Sequence, residues 1–244
     1  MKLEEDAMVT AKLNPALIGD LMKIDAIAFD LDGTLIETND AWLNGLNRTL
    51  KLYGNEGEVT MEFFIENHVG VEQTKVLSYY LDLSEQEMDE AVKAFNEIFV
   101  SSIDYVKLQD NVIETLEYIS TMTEKRAIIT NSYRKVTDAI LNNLESRNLD
   151  IKKYFHTIVT RDSVKEGKPN PEIIYNTCNI LEVKPENMIF IEDSTSGVKA
   201  GKNAGCYVIG FTSNSSAEKL WHAGANRIIK NLIELKEIIS ELSH

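Results

Sequence analysis

The sequence predicts an α/β protein, a doubly wound parallel sheet with a Rossmann-like core into which an all-helical subdomain is inserted. Short apolar runs recur along the chain, and most are followed by turn residues and then by a helical pattern. One long stretch, roughly residues 39–122, contains helical patterns but no comparable run. At 244 residues and 43% hydrophobic side chains, the chain is long enough to build a substantial core.

The predicted strands are short and bounded by turn residues. They lie at residues 24–29, 126–130, 157–159, 188–191 and 207–211. After the second run, Val136, Ile140 and Leu144 recur at helical spacing. A helix is expected to begin near Pro171, and Gly205 is placed to end the helix that follows the fourth run. Strands that alternate with helices favour parallel pairing, with helices on both faces of the sheet.

The inserted region begins soon after the first strand. Residues 41–53 and 60–67 have helical patterns, and Ser84 with Glu87 forms a capping box that opens a further helix. A crossover helix back into the sheet is expected near Asp110. The sequence therefore divides into an N-terminal extension (1–21), expected to hold a short amphipathic helix, a core (22–38 and 107–244) and a helical cap (39–106).

Charge and composition limit the partners and the compartment. The formal net charge is −14, so the long-range field repels nucleic acids and anionic membrane surfaces, and neither is expected as a partner. Acids stand at the N-terminus where a secretory signal would be basic, and no apolar run is long enough to span a membrane. Cys178 and Cys206 are interpreted as reduced thiols. We expect a cytoplasmic protein that is a monomer or a weak homo-oligomer.

Polar residues follow four of the predicted strands, where ligands of open parallel sheets bind. They are Asp30 and Asp32 after the first strand, Thr130 and Asn131 after the second, Lys168 beyond the third, and Glu192 and Asp193 after the fourth. Clustered carboxylates repel one another unless a cation lies among them, and an all-oxygen site suits Mg²⁺. A metal ion and a lysine allow an acidic protein to bind a phosphorylated ligand.

These motifs resemble those of the haloacid dehalogenase-like (HAD) hydrolase superfamily. The segment from Asp30 to Leu35, with the sequence DLDGTL, is similar to its signature loop. Thr130, Lys168 and the pair Glu192-Asp193 match its other three motifs in order. The resemblance spans about residues 22–230. The helical insertion resembles the cap of the branch that contains beta-phosphoglucomutases, sugar-phosphate phosphatases and phosphoglycolate phosphatases.

The resemblance implies a role for each matched residue. Asp30 is implied as the nucleophile that forms an aspartyl-phosphate, and Asp32 as the general acid and base. Thr130 and Lys168 are implied to hold the transferring phosphoryl group. Mg²⁺ is implied to bind Asp30, the backbone carbonyl of Asp32 and Asp193, with Glu192 close by or linked through water. The leading hypothesis is a Mg²⁺-dependent phosphatase acting on a small phosphorylated metabolite.

Other interpretations stay open at this point. Asn131 is a candidate for phosphate binding, and His68, between helical pieces of the insertion, is a candidate substrate-binding residue that is also compatible with an ordinary surface position. A phosphosugar mutase of the same branch shares every catalytic residue and differs in a second phosphate site. A catalytically silent binding protein is the alternative outside the enzymes, although all four motifs are present.

Overall fold

The computed structural model describes residues 22–69 and 71–243. The predicted N-terminal extension, residues 1–21, lies outside them. The described residues contain eight β-strands: β1 (Ala26–Phe29), β2 (Ile36–Glu37), β3 (Lys107–Leu108), β4 (Arg126–Ile129), β5 (Thr157–Val159), β6 (Met188–Glu192), β7 (Tyr207–Phe211) and β8 (Arg227–Ile229). They also contain ten α-helices: α1 (Asn39–Leu52), α2 (Met61–Asn67), α3 (Gln73–Tyr80), α4 (Glu85–Val100), α5 (Val112–Ser120), α6 (Arg134–Ser146), α7 (Glu172–Leu181), α8 (Thr195–Ala204), α9 (Ala217–His222) and α10 (Leu235–Ser243).

Six strands form one parallel sheet in the order β5-β4-β1-β6-β7-β8. The central strand β1 pairs on both sides, with Ala28 opposite Ala127 of β4 and Phe190 of β6. Every residue of β1 and β6 is buried, as expected for strands that are covered on both faces. The five predicted strands are confirmed. The edge strand β8 was missed because three residues that include an arginine carry too little periodic signal.

Helices cover both faces of the sheet. On one face α7, α8 and α9 pack against the alternate strand residues that include Ala28 and Phe190. On the other face α5, α6 and α10 pack against the set that includes Ile27, Phe29 and Ile191. The α/β fold class, with a doubly wound parallel sheet, is thereby confirmed. Cys178 and Cys206 are both free and buried in the first of these layers.

Four helices, α1 to α4, follow one another between β2 and β3. We call residues 39–106 the helical insertion. The predicted capping box opens α4 as expected, because the Ser84 hydroxyl accepts from the Glu87 amide and the Glu87 carboxylate accepts from the Ser84 amide at 2.9 Å. Helix α3 was not singled out from the sequence. No helix of the described chain is both long and apolar enough to cross a membrane.

A two-stranded antiparallel ribbon stands where the chain enters and leaves the helical insertion. Ile36 of β2 pairs with Leu108 of β3, and Glu37 pairs with Lys107. The sequence did not predict this ribbon, since strands of two residues have no detectable alternation. The boundaries expected at 38/39 and 106/107 lie directly beside it, and the division into domains stays a prediction.

Candidate active site

The carboxyl ends of the central strands bring the predicted polar residues to one edge of the sheet. Asp30 follows β1, Thr130 follows β4, and Glu192 ends β6. Lys168 comes from the loop between β5 and α7. All eight residues singled out from the sequence line one cavity between this edge and the helical insertion: Asp30, Asp32, His68, Thr130, Asn131, Lys168, Glu192 and Asp193.

Lys168 joins two carboxylates at the base of the cavity. Its Nζ donates to Asp30 Oδ1 at 2.5 Å and to Glu192 Oε2 at 2.8 Å. Lys168 is 5% exposed, Asp30 4% and Glu192 1%. Burial alone would lower the pKa of Lys168, but Asp30 and Glu192 reverse that effect and hold it above its usual range. The lysine is therefore a fixed positive charge at the strand ends.

Asn131 holds the backbone of Lys168 in place. Its side-chain oxygen accepts from the Lys168 amide at 2.9 Å, and its side-chain nitrogen donates to the Lys168 carbonyl at 3.0 Å. Both polar atoms of this amide are thus engaged with the protein. The side chain of Asn131 therefore positions Lys168, and phosphate binding by Asn131 stays a prediction.

Glu192 is engaged on both carboxylate oxygens. Oε1 accepts from the amides of Asp193 at 3.1 Å and Ser194 at 2.9 Å, and from the Ser194 hydroxyl at 2.7 Å. Oε2 faces Lys168. Gly197 is needed beside it, since a Cβ on that residue would lie 1.8 Å from Glu192 Oε2. With these donors in place, Glu192 has little capacity left for a direct metal bond, and its position suits orienting Lys168.

Asp193 is buried beside Asp30 and is held by two neutral donors. Thr34 Oγ1 donates to its Oδ1 at 3.0 Å, and Asn214 Nδ2 donates to its Oδ2 at 2.8 Å. Gly33, with a φ of +90°, allows this packing, because a Cβ there would lie 2.3 Å from Asp193 Oδ2. Burial, followed by the charge of Glu192, raises the pKa of Asp193 to about 7. Burial and then Glu192 also raise the pKa of Asp30 well above its usual range.

These carboxylates form a donor set that fits a divalent cation. Asp30, Glu192 and Asp193 each have an oxygen within 4.8 Å of the other two, and since both Glu192 oxygens are already engaged, Asp30 and Asp193 are the carboxylates free to bind the cation directly. Lys168 supplies one positive charge against these three buried carboxylates, so two negative charges are left uncompensated. Burial raises the pKa values of Asp30 and Asp193 most, the repulsion among these carboxylates raises them further, and a divalent cation among hard oxygen ligands would offset that repulsion.

Asp32 is held by two hydroxyl groups at one of its oxygens. Thr130 Oγ1 and Ser132 Oγ both donate to Asp32 Oδ2, at 3.1 and 2.8 Å. The Thr130 hydroxyl in turn accepts from the Ser132 amide at 2.9 Å. Asp32 Oδ1 is buried and has no hydrogen-bond partner among the described residues. Buried polar atoms are usually paired, so this oxygen is a place where a ligand atom fits.

His68 borders the cavity from the helical insertion and is not a plain surface residue, since it is 6% exposed. Its Nε2 lies 2.6 Å from the Tyr80 hydroxyl. Its ring also makes edge contacts with Phe63, Phe64 and Tyr79. Burial lowers the pKa of His68, so its imidazole is neutral at and above neutral pH.

Sequence reasoning missed two residues that this geometry uses. Asn214, which holds Asp193, lies three residues beyond the end of β7. Examining the residues after the fifth strand, as was done for the other four, would have found it. Ser132, two residues after Thr130, was not singled out from the sequence, and its hydroxyl contact with Asp32 depends on a tertiary approach that the sequence does not encode locally.

Comparisons with known proteins agree with this fold and site. A family model of the haloacid dehalogenase-like hydrolases matches residues 27–211. A phosphorylated carbohydrates phosphatase of Thermotoga maritima is 30% identical over 88% of this chain and 100% of its own length. A phosphoglycolate phosphatase of Photorhabdus laumondii is 31% identical over 79% of this chain and 82% of its own.

A solved structure adds to the agreement. CbbY from Rhodobacter sphaeroides in complex with phosphate superposes with a TM-score of 0.75 at 25% identity, over 87% of this chain and 96% of its own. The expectation of an enzyme of this superfamily is confirmed. Since the family model covers most of the sequence, the chain belongs to the haloacid dehalogenase-like hydrolase family.

Proposed function

We propose that this protein is a phosphatase that hydrolyses monoesters of small phosphorylated metabolites through an aspartyl-phosphate on Asp30. The observation that carries the proposal is the pairing of Asp30 with Lys168 beneath the cavity, with Asp32 beside them. A carboxylate oxygen and a fixed ammonium at one point suit attack on phosphorus and neutralisation of phosphoryl charge. Relatives named as phosphatases support this reaction class.

Asp30 and Asp32 divide the chemistry between them. In the first step a carboxylate oxygen of Asp30 forms a bond to phosphorus, the bond from phosphorus to the ester oxygen breaks, and Asp32 gives its proton to the departing alkoxide. In the second step Asp32 takes a proton from water as that water attacks phosphorus, which releases phosphate and frees Asp30. The unpartnered Oδ1 of Asp32 is the oxygen available for both proton transfers.

The protein's other groups prepare these steps. Lys168 faces the nucleophile and balances charge on the phosphoryl oxygens, and Glu192 with Asn131 keeps that lysine in place. We propose that Asp30, Asp193 and the backbone carbonyl of Asp32 hold Mg²⁺, with Glu192 close by. Bound Mg²⁺ would supply positive charge for the phosphoryl oxygens. The helical insertion closes the site as a cap and keeps bulk water from the reacting atoms.

A phosphate-release assay tests the proposal. The purified chain is incubated with p-nitrophenyl phosphate and a panel of metabolite monophosphates, with Mg²⁺ or with EDTA. We expect release that requires Mg²⁺ and multiple turnovers per enzyme. Absence of release from every compound in the presence of Mg²⁺ overturns the proposed function.

Asp30→Asn is the matched variant for the nucleophile. The substitution keeps the shape of the side chain, so we expect the thermal midpoint to change little while turnover falls by at least about 10⁴-fold. Asp82→Asn, at an exposed position of the helical insertion, is the control for a lost carboxylate and should keep full activity. Retained turnover in Asp30→Asn contradicts the nucleophile assignment.

A further inference from the structure

The wall that the helical insertion presents to the cavity is mostly aromatic and aliphatic, with Asn39, Glu72 and Gln73 as its other lining residues. Trp42, Phe64, His68, Val69 and Val71 line it opposite the strand ends. Phe64 is buried, and the indole of Trp42 is fixed against Phe95, with ring centroids 4.8 Å apart. The part of a substrate that reaches beyond the phosphoryl group therefore meets mainly apolar surface, and Glu72 is the one charged residue of the insertion in the described lining.

The charged side chains that line the cavity are mostly negative. Among the described residues that line the cavity, Lys168 is the single lysine and there is no arginine, whereas five carboxylates are present. Lys168 already faces Asp30 and Glu192 and is placed to meet the transferring phosphoryl group. No cation of the described lining is left to meet a second anionic group of a substrate.

Arg161, a cation beside the lining, is neutralised. Its Nε and Nη2 donate to Glu72 Oε1 at 3.2 and 3.0 Å, and this pair links the helical insertion to the loop after β5. Arg161 also lies against Gly167, the residue before Lys168, since a Cβ on Gly167 would be 2.7 Å from Arg161 Cδ. Glu72 itself lines the cavity, so it cancels the positive charge on the side that a substrate approaches.

His68 adds no charge in its place. Its ring nitrogen contacts a hydroxyl, and its ring neighbours are aromatic. Protonating it there would put a charge among apolar rings, and His68 has no hydrogen bond or ion pair to a carboxylate among the described residues. The wall is therefore neutral over the range in which we expect the enzyme to work.

We propose that this site selects phosphate monoesters whose leaving group carries no further negative charge, with the leaving group's carbon skeleton lying against Trp42, Phe64 and Val71. This inference rests on the proposed phosphatase function and narrows its substrate class. A carboxylate or second phosphate on the leaving group would be desolvated beside Glu72 without a free cation. Monoesters of uncharged alcohols are therefore favoured over phosphoglycolate, pyrophosphate and sugar bisphosphates. The same neutral wall disfavours the mutase alternative, which needs a second phosphate site.

A matched pair of substrates tests the inference. Phosphoglycolate and 2-hydroxyethyl phosphate have similar size. The leaving group of the first carries a carboxylate, and that of the second carries a hydroxyl group. We expect kcat/KM to be at least about tenfold higher for 2-hydroxyethyl phosphate at pH 7.5 with Mg²⁺, which corresponds to about 1.4 kcal/mol. Equal values, or a preference for phosphoglycolate, overturn the inference while leaving the phosphatase function intact. If both of these esters, p-nitrophenyl phosphate and the panel of metabolite monophosphates are all left uncleaved, the proposed function itself fails.

Variants show whether charge at the wall causes the preference. Glu72→Gln frees the charge of Arg161, and Val71→Lys adds a cation on the lining, so each should shift the ratio of kcat/KM toward phosphoglycolate by about three- to tenfold. Glu66→Gln, an equal charge change at an exposed position of α2, should leave the ratio unchanged. Taking the ratio of two substrates in one variant cancels losses from weaker folding. An unchanged ratio in both Glu72→Gln and Val71→Lys overturns the inference.

Discussion

The two walls of the cavity differ in polarity: one is lined by charged side chains and the other mainly by apolar ones. At the strand ends Asp30, Lys168, Glu192 and Asp193 are buried charges: Asp30 is paired with Lys168, and the other three each make two or more hydrogen bonds or ion pairs. The opposite wall, from the helical insertion, is mainly apolar, with a few uncharged polar side chains and one neutralised ion pair. The difference supports the two proposals made above, that the sheet edge carries out the chemistry and that the insertion selects the leaving group.

The two walls also differ in how well they tolerate substitution. A buried charge that loses its partner costs several kcal/mol, so the residues of the sheet edge constrain one another closely. Apolar contacts lack direction and tolerate exchanges of similar volume. Changes at the sheet edge should therefore affect kcat, and changes at the insertion wall should mainly affect KM.

Of the changes that compare the two walls, Lys168→Met should have the largest effect on stability and turnover together. It leaves Asp30 and Glu192 buried without their counter-charge, which costs about 3–5 kcal/mol of stability. It also removes the charge that balances the phosphoryl group, and kcat should fall by about 10²- to 10³-fold. Steady-state kinetics and thermal denaturation measure both effects. Lys199→Met, at an exposed position of α8, is the control, and a kcat for Lys168→Met within tenfold of the parent would break the comparison.

The affinity for Mg²⁺ should depend on pH through Asp193. Burial and Glu192 raise the pKa of this carboxyl to about 7 from an ordinary value of 3.8. Ionising it therefore destabilises the metal-free fold as the pH rises from about 4 to 7. Below pH 7 Mg²⁺ must displace a proton, so its affinity should fall by up to about tenfold per pH unit between pH 7 and 6 and level off above pH 8.

Calorimetric titration of Mg²⁺ at pH 6, 7 and 8 measures this dependence. Asp82→Asn should reproduce the parent profile, because that carboxylate is exposed and lies away from the cavity. A constant Mg²⁺ affinity between pH 6 and pH 8 would show that burial and the neighbouring carboxylates do not raise the pKa of Asp193.

Ser132→Ala should have a smaller effect that depends on the leaving group. The hydroxyl donates to Asp32 Oδ2, and its loss removes one of the two bonds that orient this acid. Turnover of alkyl phosphates, whose alkoxide needs a proton, should fall about tenfold, in line with one hydrogen bond to a charged group. p-Nitrophenyl phosphate loses its phenolate without a proton and should be affected by less than about threefold. Ser132→Thr keeps the hydroxyl and should restore activity, whereas an equal loss on both substrates would contradict the positioning role.

Trp42→Leu tests the insertion wall and should show the smallest change. Leucine preserves an apolar surface but leaves a gap beside Phe95, so KM should rise about three- to fivefold while kcat stays within twofold. Trp221→Leu, on an exposed ring of α9 far from the cavity lining, is the matched control. A fall in kcat that exceeds the rise in KM would mean that the insertion wall takes part in the chemical step.

Much of the sheet edge could be predicted from the sequence, because parallel strands bring their carboxyl ends together. Asp30, Thr130 and Glu192 each end or follow a predicted strand. This was enough to predict that the three side chains lie at the same edge of the sheet. The ion pair of Lys168 with Asp30 was less accessible, since the lysine lies on a loop whose course depends on the amide of Asn131.

The insertion wall was predicted poorly for a physical reason. Helical periodicity shows which residues of a helix are apolar and not which of them face a cavity rather than the core. The sequence left His68 between a surface and a substrate role, and its burial against Tyr80 depends on how α2 and α3 meet. The contact between Glu72 and Arg161 joins residues 89 positions apart and has no local signature.

Because of the ribbon of β2 and β3, the helical insertion could be exchanged as a unit. Its two ends are paired residues of antiparallel strands, Ile36 with Leu108, so they lie only about 5 Å apart. A short turn could join Glu37 to Lys107, or the helices of a related protein could be grafted between them, without altering the path of the sheet. Lineages that exchange the helical insertion would acquire new substrates while keeping the same reaction.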